Sequence, residues 1–248
     1  MITVGDIYDY IQQKAPFETA EPWDNCGLLV GTRETAVSTV LVALDITART
    51  VALAEELGAQ LIVSHHPVIF DPLRTLTPEL PVYRLAQTGI AAVCAHTNLD
   101  KAAGGVNDCL ARLLGLEAVE LSADGMCRMG QLPNAMSAET FARYVAARLG
   151  VAVRAHIGNA PVRTVAVCGG AGADLVLPLL CTADAVVTGE IKHHEWLTVS
   201  GGKTVIDGGH YATEVGVTEG LHTWLSEAFS DLKIVVEERR DPYQTIME

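Results

Sequence analysis

The chain has 248 residues, 49% apolar and only 5% aromatic, with a formal net charge of −13. That length allows one large core or two modest ones, and the abundance of alanine, valine and leucine suits an α/β protein with β-branched buried strands. The charge argues against a broad phosphate-binding face, so nucleic acid is not an expected partner, and no apolar run approaches the roughly 18 residues of a membrane span.

In chain order, the opening Met1-Ile2-Thr3-Val4-Gly5-Asp6 lacks the basic region and apolar core of a signal peptide, so a cytoplasmic protein is expected. Thr39–Leu44 is β-branched and reads as a strand. Thr47–Leu57 has helical spacing and stops at Gly58, a residue favoured just past helix ends. Gln60–Val63 reads as a strand, residues 79–88 as a helix, Ile90–Ala95 as a strand, Gly105–Leu114 as a helix and Ala118–Leu121 as a short strand. This alternation with short connections predicts a largely parallel sheet with helices on both faces. The stretch Ser122–Ala135, rich in Gly, Met and Asn, breaks the rhythm and suggests a boundary, giving halves over residues 1–122 and 123–248. Ser137 then looks like an N-cap before an amphipathic helix to Leu149.

The second half echoes the first at an offset of 125: Val165-Ala166-Val167 falls on Val40-Leu41-Val42, and residues 186–190 fall on 61–65. Either an old duplication or two βαβ units built under the same rules accounts for this. Six cysteines, Cys26, Cys94, Cys109, Cys127, Cys168 and Cys181, never form C-x-x-C and read as reduced thiols.

The chemistry-bearing residues sit where apolar runs end. Val63-Ser64-His65-His66-Pro67 closes one run, Ala95-His96-Thr97-Asn98-Leu99-Asp100 a second, and Gly209-His210-Tyr211-Ala212-Thr213-Glu214 a third. Ligands in open α/β sheets gather at the carboxyl ends of strands. His65 and His66, where the chain turns into Pro67, can converge on one space; an isolated His-His would read as a polar loop start. Asp100 and Glu214 each follow a histidine by four residues. Only the second pair is expected to open a helix, from Tyr211, which would set His210 and Glu214 on one face; a glycine turn with a capped helix is the alternative. Three imidazoles and two carboxylates suit Zn, Mn, Fe, Co or Ni without choosing among them, and hydrolytic sites hold two such ions about 3.5–4 Å apart.

His96 and Glu190 are candidate catalytic groups. His96 is placed to orient Asp100 or move a proton, and the repeat puts Glu190 at the position of His65. His193 and His194 are candidates for touching substrate, with a solvated helix face as the alternative. Asp24 and Asn25 line a pocket or shape a turn, and His156 and His222 read as structural or solvent-facing.

Trp23-Asp24-Asn25-Cys26-Gly27-Leu28, Ser64-His65-His66-Pro67-Val68-Ile69-Phe70, His96-Thr97-Asn98-Leu99-Asp100, Gly104-Gly105-Val106-Asn107-Asp108, Gly189-Glu190-Ile191-Lys192-His193-His194 and Gly209-His210…Thr213-Glu214 occur in this order. Together they resemble the NIF-three-like dinuclear-metal proteins, labelled GTP cyclohydrolase 1 type 2 homologues, in their short form without a middle insertion. The resemblance covers nearly the whole chain. It implies two interlinked three-layer α/β domains with largely parallel or mixed sheets, and a toroidal homohexamer with sites facing an internal cavity. It further implies two divalent metal ions per chain held by His65, His66, Asp100, His210 and Glu214, with Glu214 as the bridge.

Three functions are open at this point. One is a metal-dependent hydrolase; the family label points to water adding to the imidazole ring of GTP, although no Walker-type phosphate loop is present. The second is a two-metal phosphoesterase acting on nucleotides. The third is a non-enzymatic ring scaffold or adaptor that binds metal.

Overall fold

The computed structural model describes residues 1–238 and 240–243. Short runs of Val, Ile, Leu and Ala form most of the strands. In chain order these are β1 (Gly27–Val30), β2 (Thr39–Ala43), β3 (Leu61–Ser64), β4 (Ala91–Cys94), β5 (Glu117–Leu121), β6 (Arg128–Met136), β7 (Arg154–His156), β8 (Val162–Val167), β9 (Ala185–Thr188), β10 (Thr204–Asp207) and β11 (Lys233–Val236).

The chain divides into two units, Met1–Gly105 with Val217–Glu238, and Val106–Gly216 with the described residues after Glu238. The boundary expected at residue 122 is therefore corrected. The chain leaves the first unit after Gly105 and returns to it at Val217. Two long-range pairings explain this: β5 joins β6 in the second unit's sheet, and β11 adds in parallel to β2 in the first, with Val235 opposite Leu41.

The first unit's sheet has the order β1-β4-β3-β2-β11. All of it is parallel except β1, which runs antiparallel to β4. Every residue of β2, β3 and β4 is buried, as expected of parallel strands covered on both faces. The helix Ala48–Leu57 starts at Thr47, whose side chain accepts from Thr50 N–H, and ends at Gly58 in the left-handed region at φ +63°, as its spacing predicted. Leu41, Val51, Ile62, Leu85 and Ala92 pack one core of this unit.

The second unit's sheet has the order β5-β6-β8-β9-β10-β7, with β8, β9 and β10 parallel and the outer strands antiparallel, so the sheet is mixed. The stretch Ser122–Ala135, expected to mark a boundary, holds all but the last residue of the nine-residue strand β6. Its glycine, proline and asparagine hide a strand in which Arg128, Gly130 and Leu132 are buried alternately. Its register against β8 shifts between Gln131 and Met136, around Pro133, which has no N–H to donate to the ladder. Ser137 caps the helix Ala138–Leu149 by accepting from Thr140 N–H. That helix packs Phe141 and Val145 against Val165, Val187 and Ile206, while Val176, Val186 and Val205 belong to a separate core cluster.

The echoed segments are equivalent parallel pairs, but with different register. Val40 lies opposite Leu61 in the first unit, whereas Val165 lies opposite Ala185, one residue short of the 125 offset. Among the described residues no helix is long and apolar enough to cross a membrane.

Candidate metal centre

In the first unit, β3 and β4 run side by side in parallel with Ser64 opposite Cys94. His65, His66 and His96 therefore emerge at the same sheet edge. Their ring centroids are 4.9 Å (His65–His66), 5.1 Å (His65–His96) and 5.6 Å (His66–His96) apart. One ligating nitrogen from each ring lies within 4.8 Å of the others.

Each ring is oriented from behind. His65 Nδ1 donates to the Ala95 carbonyl at 3.0 Å, His66 Nδ1 to Asp45 Oδ1 at 2.8 Å, and His96 Nδ1 to Asp24 Oδ1 at 2.8 Å. An acceptor on Nδ1 fixes the tautomer and leaves Nε2 as the basic, ligating atom. Asp100 Oδ1 stands 3.7 Å from His65 Nε2. Asp100 belongs to the short helix Thr97–Lys101, whose N-cap is His96, so the first His–carboxylate pair opens a helix just as the second does. A five-residue helix leaves too little periodicity to be read from sequence. Cys94 Sγ donates to the His65 carbonyl at 3.0 Å, and burial pushes this thiol well up, so it packs here as a neutral group.

The side chain of Asp24 is buried, and it accepts from His96 Nδ1, from Thr97 N–H and hydroxyl, and from the Cys26 thiol. Burial alone would raise this carboxyl, but the hydrogen bonds outweigh it and hold Asp24 well below the usual carboxylate range. A lowered native-state value stabilises the fold fully above the unfolded carboxyl value of about 3.9, and the benefit disappears as pH falls below it. Asp24→Asn is therefore expected to cost about 2 kcal/mol at neutral pH, with the gap to the parent narrowing below about pH 4. Urea unfolding of the metal-free proteins across that range checks this; a gap that ignores pH would contradict it.

In the second unit, β9 and β10 are parallel with Thr188 opposite Asp207, which brings Glu190 and His210 to one edge. The helix His210–Glu214 begins at His210 itself, one residue earlier than expected, after Gly209 at φ +81°. His210 and Glu214 do share a face: His210 Nε2 is 3.0 Å from Glu214 Oε2. Glu190 Oε1 accepts from His210 Nδ1 at 3.1 Å, so its contact is behind the ring. Glu214 is 4% exposed, and a carboxylate so buried is costly unless a cation or hydrogen bonds compensate it. Gly170, at φ +61°, makes room for it: a Cβ there would sit 2.0 Å from Glu214 Oε1 and 3.1 Å from His210 Nε2.

Asp207 fixes this edge. Its carboxylate accepts from Gly209 N–H at 3.0 Å and Ile191 N–H at 3.2 Å, and it pairs with the Arg154 guanidinium. One buried side chain thus holds the two segments that carry His210 and Glu190. Beside them is a cavity of about 680 Å³ lined by Arg154, Glu190, Lys192, Asp207 and Tyr243 among others.

The structure thus groups His65, His66, His96 and Asp100 in one unit, and Glu190, His210 and Glu214 in the other. His193, His194 and His156 are exposed, and His222 lies 3.5 Å from Ser226 Oγ. Asn25 Nδ2 donates to the Ile69 carbonyl at 2.6 Å, a loop tie. Sequence reasoning missed Asp45, Asp207 and Gly170. Asp45 and Gly170 follow strands β2 and β8 closely and Asp207 ends β10, so the rule that located the histidines extends to them. Imidazole nitrogens and carboxylate oxygens without thiolate fit a first-row divalent ion, and the Nδ1 anchors and the Gly170 cradle fit it as well.

Two α/β units, each presenting imidazole and carboxylate at the carboxyl ends of parallel strands, define a candidate metal-binding protein of the α/β class. The chain belongs to the Duf34/NIF3 (NGG1p interacting factor 3) family, whose model matches residues 2–242. It is similar to the "GTP cyclohydrolase 1 type 2 homolog" of Clostridium perfringens, 30% identical over 98% of this chain and 99% of that protein. The "GTP cyclohydrolase 1 type 2" of Helicobacter pylori strain J99 is 30% identical over 99% of this chain and 100% of its own. Among solved structures, Staphylococcus aureus hypothetical protein SA1388 superposes with a TM-score of 0.91 at 29% identity, covering 99% of both chains.

Proposed function

We propose that the protein is a divalent-metal-dependent hydrolase of the GTP cyclohydrolase 1 type 2 kind. In this reading His65, His66, Asp100, His210 and Glu214 would hold two ions. The observation that carries it is the set of imidazoles whose Nδ1 atoms are all committed to fixed acceptors, so that their Nε2 atoms serve as ligands. Divalent ions held there would supply Lewis acidity toward an electrophilic carbon or phosphorus near neutral pH.

The chain's own residues supply the rest. Ala95, Asp45 and Glu190 orient the ligating rings. His96 is oriented by its Nδ1 bond to the Asp24 carboxylate, which leaves Nε2 as the atom that can take a proton and return it. Glu190, behind His210, is a positioning residue in this reading. We further propose that six copies assemble into a ring, as the family resemblance implies.

Protein loaded separately with Zn, Mn, Fe, Co or Ni and given GTP tests the activity. Opening of the purine imidazole ring, followed by mass and absorbance, is the expected result. GTP left unchanged by fully loaded protein contradicts it, and phosphate release from a panel of mono- and diesters would replace it with a phosphoesterase.

A further inference from the structure

The chain has three tryptophans and four phenylalanines. Five of these seven are packed. Phe141 is buried in a core, Phe17 stacks on Tyr8 at 4.5 Å, Phe229 meets Tyr10 edge-on at 5.5 Å, Trp196 packs a second-unit core, and Trp224 lies against Gly104. The other two, Trp23 and Phe70, are 61% and 49% exposed.

These two are not scattered. Their ring centroids are 6.0 Å apart, and each lies 6.3 Å from the His96 ring, at 74° and 78° to it. The segments that carry them are fixed by polar bonds. Asn25 Nδ2 donates to the Ile69 carbonyl at 2.6 Å, joining a residue two beyond Trp23 to the one before Phe70, and Asp24 ties the same loop to His96 and Thr97. An aromatic pair held by its backbone, left half in solvent and placed against the imidazole cluster is a prepared surface, since two such side chains would otherwise gain by burial.

We infer that Trp23 and Phe70, whose planes are tilted by 51°, form a platform for a planar heteroaromatic ring, Trp23 stacking on its face and Phe70 meeting it toward the edge, which they hold against the first unit's histidines. Stacking is tolerant of substituents and needs no phosphate loop, which agrees with the absence of a Walker motif. The inference rests on the metal-hydrolase reading only for what happens to the ring once bound.

Calorimetric titration of metal-free protein separates binding from turnover. Guanosine is the probe and ribose 5-phosphate the control that lacks a ring. The parent protein should bind guanosine and not the control, with Trp23→Leu weakening guanosine by roughly tenfold or more. Phe70→Leu should weaken it too, and Trp23→Phe should restore part of the loss, while metal uptake by all three variants stays at the parent level. Guanosine that fails to bind, that binds Trp23→Leu as well as the parent, or that ribose 5-phosphate fully displaces would overturn the platform. So would light scattering in which Trp23→Leu changes the assembly while guanosine affinity stays put. Platform binding without GTP turnover by metal-loaded protein would defeat the hydrolase reading alone.

Discussion

Gly170→Ala is expected to cut metal affinity at His210 and Glu214 by about a hundredfold while leaving the protein folded. The added Cβ would lie 2.0 Å from Glu214 Oε1, 2.9 Å from its Cδ and 3.1 Å from His210 Nε2. Glu214 must then swing out of a buried place beside the helix that carries it. Even disturbing residues that merely support a ligand costs 10- to 100-fold in metal affinity, and here a proposed ligand itself is displaced. The left-handed backbone adds a stability cost of about 1–2 kcal/mol. Gly58→Ala separates the two effects, because Gly58 has φ +63° and nothing within 4 Å of the new Cβ. It should show the backbone cost in thermal unfolding and bind metal normally. Gly170→Ala that binds metal as the parent does would remove Glu214 from the ligand set.

Asp100→Ala should abolish turnover and lower the metal content while the assembly survives. Asp100 stands at the end of a helix seeded by His96 and faces His65 Nε2 at 3.7 Å. Removing it takes away a negative charge from a cluster otherwise made of imidazoles, so the loss should be at least about a hundredfold in metal affinity. Elemental analysis and light scattering on the same sample decide between an enzyme and a scaffold. Lost turnover with an intact assembly supports the enzyme. Loss of the assembly, with no turnover by the parent in any assay, would make the metal's role structural.

The histidine and carboxylate pairs were legible because the histidines lie within three residues of the end of a short apolar strand, and parallel neighbours bring strand ends together. The helix Ala48–Leu57 was legible for a local reason also, its threonine cap and terminal glycine. What escaped depends on pairings distant in sequence. Asp45 reaches His66 because β2 lies beside β3, and Asp207 reaches Ile191 through the β9–β10 pairing. The misplaced boundary has the same origin. Glu117–Leu121 is exposed throughout and carries no amphipathic signal, so its place in the second sheet is set by β6 alone. The residues Lys233–Val236 return to the first sheet across nearly the whole chain, and nothing local marks that return. The internal repeat drew attention to Glu190, but the one-residue register difference sets it off from the position of His65, and its exposed carboxylate meets His210 Nδ1.

Imidazole and carboxylate groups from both halves of the chain are proposed to hold two metal ions. Elemental analysis tests it most directly, on protein purified without added metal and then reconstituted with one divalent ion at a time. About two ions per chain are expected, falling in Gly170→Ala and Asp100→Ala but not in Gly58→Ala. Fewer than about one ion per chain after reconstitution would contradict it.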